Sequence, residues 1–326
     1  MRLRALEIMQ SFKKNQVGIG AFNFVNLEMA QAIIKAADAT ERPVILQASM
    51  GAIDYAGLSN IVALGRAAKD ASDVPLILHL DHGNFDYASV CIEAGFDSVM
   101  FDGSALPLEE NIEKTKQIIK LARKRKQKVT VEAEIGRIGG VEEHLNVSEK
   151  EAQYTTAEEA ADFVKKTKCD SLAIAVGTAH GVYQGEPKIQ FELIEQIAAA
   201  VPKTPLVLHG SSGVSLADLQ KTIEAGITKI NIDTDLRLAF TEALRRALEE
   251  KPQEFDLRKY LKPAREAAQK IVEEKIRAFA FLETETDEKE EKETAKEEAA
   301  AAAAAAAEPE SSKESPKPIV VKHETL

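Results

Sequence analysis

Three of the six histidines in this 326-residue chain stand immediately before a glycine: His82-Gly83, His180-Gly181 and His209-Gly210. Each pair follows a short apolar run of the kind that forms a buried strand. Glycine lets the chain turn sharply and lets a backbone approach a ligand closely. Histidines from three strand ends can therefore converge on one point, and three neutral imidazoles with an open fourth position make a catalytic zinc site.

The elements that must position them alternate steadily. Apolar runs at 17–24, 43–49, 75–81, 98–103, 128–136, 171–177, 205–210 and 227–233 read as strands. Between them lie helical patterns such as 27–40, 108–126, 157–167 and 191–201, with apolar residues recurring at three and four. Strands apolar on both faces and separated by helices predict a parallel sheet covered on all sides. Eight such units predict an α/β fold of the closed (β/α)₈ TIM-barrel type, with a doubly wound open sheet as the competing arrangement. In such a barrel the chemistry sits at the C-terminal strand ends. Asn23, Ser49, Asp81, His82, Asp102, Glu132, Glu134, His180, His209, Asn231 and Asp233 all fall late in, or just after, a predicted strand. One pair conflicts with strand geometry, because period-2 alternation sends the neighbours Asp81 and His82 to opposite faces. They share a site only if His82 lies beyond the strand, where Gly83 turns the chain.

Composition bounds the function. Residues 1–282 suffice for one large domain with a helical C-terminal extension, and 283–326 read as a separate low-complexity tail. That tail carries 13 acidic and 6 basic residues and nine consecutive alanines, 299–307, so most of the net charge of −11 lies outside the body. It predicts a partly helical segment that runs into disorder. A nearly balanced body argues against nucleic acid as a partner. No apolar stretch is long enough for a bilayer, and a charged N-terminus without a signal core predicts cytoplasmic residence. Cys91 and Cys169 are too few for a disulfide framework and read as small buried hydrophobes. The basic cluster at Arg123–Lys126 reads as a helix C-terminus complementing its dipole.

Longer motifs make the pattern specific. LHLDHG at Leu78, GTAHGVY at Gly177, LHGSSG at Leu208 and KINIDTDLR at Lys229 occur together with GAFNF at Gly20, VEAEIGRIGG at Val131 and a late DLRKYLKPAREA. Over residues 1–282 this set resembles the class II, zinc-dependent fructose-bisphosphate and tagatose-bisphosphate aldolases. The resemblance implies that His82, His180 and His209 bind catalytic zinc, and that Asp81 is the acid/base at the substrate C4 hydroxyl. It implies that Glu142, in a mobile loop opened by Gly139-Gly140, exchanges the C3 proton of the triose phosphate. Asn23, Ser49, Gly181, Gln184, Gly210, Ser212, Asn231, Asp233 and Thr234 fall on substrate- and phosphate-binding positions. Arg258 matches an arginine that reaches the distal phosphate, with a neighbouring subunit as one source. Asp102, Glu132 and Glu134 are expected to hold a second divalent ion or to orient the zinc ligands, and a monovalent cation, Na⁺ or K⁺, is a further expected cofactor.

The implied reaction is reversible cleavage of fructose 1,6-bisphosphate into triose phosphates, a step of glycolysis and gluconeogenesis, by a homodimer or homotetramer. Tagatose 1,6-bisphosphate is the rival substrate. A barrel zinc hydrolase and a non-catalytic scaffold are the readings from other classes. A lysine Schiff base is disfavoured because no central lysine is read in the strand-end motifs. Two positions depart from the family pattern. Gln184 stands where lysine is usual, removing a charge from the phosphate region, and Leu257 replaces the proline before the late arginine. His79 reads as a packing or supporting residue, His144 as a solvated one, and His323 belongs to the tail.

Overall fold

The computed structural model describes residues 4–126, 128–142, 145–147, 152–183 and 185–282, without the side chains of 141, 142 and 145–147. The expectations for Gln184, His144, His323, the Glu142 side chain and the 283–326 tail fall outside the described residues.

Eight strands run parallel: β1 (Ile19–Asn23), β2 (Val44–Ser49), β3 (Leu76–Gly83), β4 (Ser98–Phe101), β5 (Thr130–Ile135), β6 (Ser171–Ile174), β7 (Leu206–Leu208) and β8 (Ile227–Ile232). They form a closed barrel, and the seam is the pairing of the first strand with the last, Ile19 against Lys229 and Ala21 against Asn231. Closure excludes the doubly wound alternative, because an open sheet leaves two strands with one neighbour each. Most strands stop short of the predicted runs; β7 ends at Leu208, so His209 lies in the loop that follows.

Helices cover the outside. Asn26 caps Leu27–Thr40, Asn84 caps Phe85–Ala94 and Ser215 caps Leu216–Ala225, each side chain accepting from a backbone amide of the first turn. Thr156 and Glu159 form a reciprocal capping box on Ala157–Thr167. Such caps each stabilise a helix by about 1 kcal/mol. The apolar stripes behind them, for example Met29, Ala30, Ile33, Ala36 and Ala37, pack on the outer strand faces. The helical extension is Thr234–Glu250 followed by Leu257–Phe279, whose Ala268, Val272, Ile276 and Phe279 join the same core. Arg123 reaches Asp170 at 3.2 Å and Arg125 reaches Glu93 at 2.9 Å, so the two arginines of the basic cluster tie the end of their helix to neighbouring elements. Cys91 and Cys169 are buried and unpaired with each other, and burial pushes both thiols up to about 12. No described helix is long and apolar enough to cross a membrane.

The barrel interior changes character from one end to the other. The helix Ala5–Lys14 closes the N-terminal end, where Ala5, Ile8 and Met9 meet Ile19, Ala21, Ile45 and Ile77. Above them Met100, Ala173 and Val207 make an apolar layer. Alternate residues on the same strands then turn polar, as in Ile77, His79 and Asp81 on β3, or Ile45 and Gln47 on β2. This gradient puts all the titratable interior groups in the middle and at the C-terminal end.

Candidate active site and metal centre

His82, His180 and His209 come together at that end, each offering a ring nitrogen within 4.8 Å of the others. His82 reaches the cluster by an unexpected route. It lies inside β3, and its own backbone takes the left-handed conformation (φ 47°) while the ladder to β4 shifts register between Leu80 and Gly83. The turn expected at Gly83 is therefore made one residue earlier. A side-chain-bearing residue held there costs about 1–2 kcal/mol, and the local bulge turns His82 to the same side as Asp81. Gly83 serves packing instead: an added Cβ would lie 2.8 Å from the Met100 carbonyl and 2.3 Å from Leu80.

Two carboxylates set the tautomers. His82 donates from Nδ1 to Asp102 at 2.9 Å, and His209 donates from Nε2 to Glu132 at 3.1 Å. The remaining nitrogens, His82 Nε2 and His209 Nδ1, face each other at 2.8 Å as lone pairs, with the Asn231 amide donating to the latter at 3.2 Å. Burial and the adjacent His82 hold His209 below the usual imidazole range, which keeps it neutral. Converging lone pairs in a buried site call for a cation, and an all-imidazole trio with carboxylates behind His82 and His209 matches the donor chemistry of catalytic zinc. The residues present fit that ion.

Asp81 stands beside the trio, buried, and accepts from three amides. Asn23 donates to its Oδ2 at 2.9 Å, Gln47 to the same oxygen at 3.1 Å, and Asn231 to its Oδ1 at 3.0 Å. Gln47 also donates to Asn23 Oδ1 at 2.6 Å, locking that pair. Gln47 was not among the expected site residues, although its position two before Ser49 on one strand puts both on the inner face.

Lys229, the first residue of KINIDTDLR, is a central lysine, which corrects the expectation that the strand-end motifs carry none. Fully buried on β8, its ammonium lies 2.9 and 3.0 Å from the two Glu132 oxygens and donates to His79 Nε2 at 3.1 Å. An ammonium committed to a carboxylate is no Schiff-base nucleophile, so the ion pair with Glu132 disfavours that route. Burial raises Glu132, but the Lys229 charge and the His209 hydrogen bond outweigh it and hold the carboxyl well below its ordinary range. His79 passes its other nitrogen to Ser98 at 2.8 Å and is kept neutral by burial and by Lys229. It is a supporting residue, as expected.

A cleft of about 290 Å³, including its open mouth, adjoins the trio. It is lined by Asn23, His180, Gly181, His209, Gly210, Ser212, Asn231, Asp233 and Thr234 among others, most of the expected substrate contacts. Ser212 Oγ accepts from the amides of Asp233 and Asp235 at 3.2 and 3.3 Å, fixing the first turn of the Thr234–Glu250 helix. Asp233 accepts from Arg237 at 2.7 Å. Ser49 lies level with Asp81 and caps the short helix Met50–Ala56, accepting from Ala52 at 3.2 Å. Arg258 is placed elsewhere: its side chain is 89% exposed, paired with Asp256 at 2.9 Å at the start of the last helix, and absent from the cleft lining. Within one chain it does not join the site.

Asp102 and Glu134 form a second trio with His82, again with ligand atoms within 4.8 Å. Burial raises Asp102, but hydrogen bonds from His82 and Ser104 prevail and hold it well below the carboxylate range. Burial and the Asp102 charge push Glu134 the other way, well above it, and its Oε2 is buried with no hydrogen-bond partner among the described residues. The segment after β5 forms short strands. Gly139–Glu142 pairs with Leu145–Val147, and Gly140 pairs with His180 itself. A Cβ at Gly140 (φ 101°) would sit 2.3 Å from the His180 carbonyl, so the glycine brings the strand that carries Glu142 directly against one histidine of the trio.

Comparison with known proteins agrees with this constellation. The profile described as fructose-bisphosphate aldolase class-II matches residues 3–283. A fructose-bisphosphate aldolase of Thermus caldophilus is 43% identical over 305 residues, covering 86% of this chain and 98% of that protein. The D-tagatose-1,6-bisphosphate aldolase subunit GatY of Klebsiella oxytoca is 41% identical over 259 residues, covering 79% of this chain and 90% of that one. The crystal structure of the YdjI aldolase of Escherichia coli K12 superposes with a TM-score of 0.74 at 33% identity, covering 86% of this chain and 97% of that one. With three imidazoles gathered beside an amide-held aspartate at the mouth of a closed barrel, and a profile match across nearly the whole described body, the chain belongs to the class-II fructose-bisphosphate aldolase family.

Proposed function

We propose that the protein reversibly cleaves fructose 1,6-bisphosphate to dihydroxyacetone phosphate and glyceraldehyde 3-phosphate. One observation carries the reading: the imidazole trio stands next to Asp81, whose orientation is fixed by three amides, and two of its rings, His180 and His209, line a cleft with glycine backbone and hydroxyls. Zinc held by His82, His180 and His209 would supply a Lewis acid for the negative charge that develops as the C3–C4 bond breaks. Asp81 takes the proton of the C4 hydroxyl, so that C4 leaves as the aldehyde carbon and the bonding electrons stay with the C3 fragment. Glu142 returns a proton to C3. Backbone amides of Gly181 and Gly210, with the hydroxyls of Ser212 and Thr234, donate to the triose phosphate end, a glycine-rich cradle of the kind that binds anions. Asn23, Ser49, Asn231 and Asp233 bind substrate hydroxyls, position 184 is assigned to phosphate binding, and Arg258 serves the distal phosphate from a neighbouring copy.

The same reading includes a second divalent ion, or an orienting role toward the zinc ligands, at Asp102, Glu132 and Glu134, with a monovalent cation near the phosphate, a homodimer or homotetramer, and cytoplasmic residence. It takes 1–282 as the catalytic domain and 283–326 as an appended tail. Tagatose 1,6-bisphosphate is a second reading, favoured by the similarity to GatY; the two sugars differ only at C4, the carbon whose hydroxyl Asp81 meets. A coupled assay on both bisphosphates, with zinc and after chelation, tests the proposal. Cleavage of either sugar that survives chelation, or of neither with zinc present, overturns it.

A further inference from the structure

The ladder that holds β6 beside β7 ends early. Its last pair is Ala173 with Val207, yet the two ligands those strands serve lie further on, His209 two residues past Val207 and His180 seven residues past Ala173. Tyr183 bridges the gap that follows. The Ala179 amide, one residue before His180, donates to the Tyr183 hydroxyl at 2.8 Å. That hydroxyl donates to the carbonyl of Gly210, one residue after His209, at 2.8 Å. The two backbones touch there: a Cβ on Gly210 (φ 63°) would lie 2.5 Å from the Ala179 oxygen. The ring of Tyr183 packs against the main core, so the hydroxyl is presented by a rigid group with few torsions.

We propose that Tyr183 is a positioning residue whose hydroxyl fixes the spacing of His180 and His209, and through it the affinity of the site for zinc. The inference rests on the metal reading above. Metal–nitrogen distances tolerate only about 0.2 Å, and a ligand set held to within about 0.5 Å depends on such outer contacts. Removing them weakens metal binding by about 10–100-fold in comparable sites. The tie also spans the segments that carry the Gly181 and Gly210 amides, so one hydroxyl serves both metal and anion geometry.

The test uses the full chain. Tyr183→Phe keeps the ring and deletes both hydrogen bonds, and Tyr87→Phe, which removes a hydroxyl bonded to Asp54 on the helical exterior, is the control. Zinc dissociation constants come from competition with a chromogenic chelator, and the visible spectrum of the cobalt-loaded protein reports ligand geometry. The expected result for Tyr183→Phe is zinc bound about 10–100-fold more weakly, with an altered cobalt spectrum, while Tyr87→Phe matches the parent in both. A Tyr183→Phe zinc constant within about twofold of the parent overturns the proposal, even if the metal-free protein melts lower, because that is a structural role alone. His180→Ala in the same titration separates the two failures. If it retains zinc, the metal reading falls and this inference with it; if it loses zinc while Tyr183→Phe does not, only the role of Tyr183 falls.

Discussion

Lys229 and Glu132 form a two-oxygen ion pair in the centre of the barrel, with neither side chain exposed by more than 1%. Glu132 in turn accepts a hydrogen bond from His209 Nε2, so the charge of Lys229 reaches one histidine of the trio through one carboxylate. Replacing Lys229 with methionine strands the carboxylate without its cation. Breaking a buried pair from one side costs about 3–5 kcal/mol, so urea unfolding of Lys229→Met should show a loss of that size. The double change Lys229→Met with Glu132→Gln should recover part of it. Equal stability of parent and single variant would remove the pair from any role in the fold.

His180→Ala should lose most bound zinc and nearly all cleavage while far-UV dichroism and the unfolding transition stay close to the parent. The ligand lies at the loop end of the barrel, away from the apolar layers that hold the strands. Elemental analysis decides it, and full zinc in the variant would disprove the ligand assignment.

Asp81→Asn should keep its zinc and lose cleavage by about 10²–10⁴-fold, the share typical of a general acid/base. The asparagine must also turn an NH₂ group toward donors from Asn23, Gln47 or Asn231, so a modest drop in stability accompanies it. Steady-state rates on zinc-saturated protein, with metal content measured in parallel, are the check.

The two thiols predict a pH dependence with a definite sign. Burial raises Cys91 and Cys169 from 9.0 to about 12 in the folded chain, whereas the unfolded thiols ionise near 9.0. Their contribution to stability is therefore fully present below pH 9 and is lost as pH rises toward about 12, because the unfolded chain releases protons that the folded chain keeps. Denaturant midpoints of the parent should fall more steeply above pH 9 than those of a Cys91→Ala, Cys169→Ala variant. Parallel curves would show that the thiols do not titrate differently in the two states.

Gln184→Lys should lower KM for the bisphosphate with little change in kcat, the signature of binding that is uniform between ground and transition states. A restored cation should also steepen the salt dependence. An unchanged KM at low ionic strength would mean that position 184 does not face the phosphate.

The barrel and the trio were legible because they are written in repeated types: eight apolar runs between helices, and three His-Gly pairs at their ends. What escaped was written differently. Gln47 and Lys229 sit within short apolar strands, and only their two-residue spacing from Ser49 and Asn231 marks them as inward-facing. Tyr183 binds backbone atoms, which leave no residue-type signal in a sequence. The left-handed turn at His82 was hidden by Gly83, the residue that propensity favours for that conformation but that here is small for packing. Local preference lost to the geometry of the ladder between β3 and β4.

The amides around Asp81 come from β1 and β2 near the start of the domain and from β8 near the end of the barrel, about 200 residues later in the chain. Asn231 arrives only when the last strand zips onto the first, at the Ala21–Asn231 register. Pairing across such a span is non-local, the kind of contact that slows folding, although its loop-closure cost grows only slowly with length. Asp81 therefore gains its full set of partners only when the first and last strands are paired. Competence would switch on with topological closure, which makes catalysis itself a reporter of the final folding event.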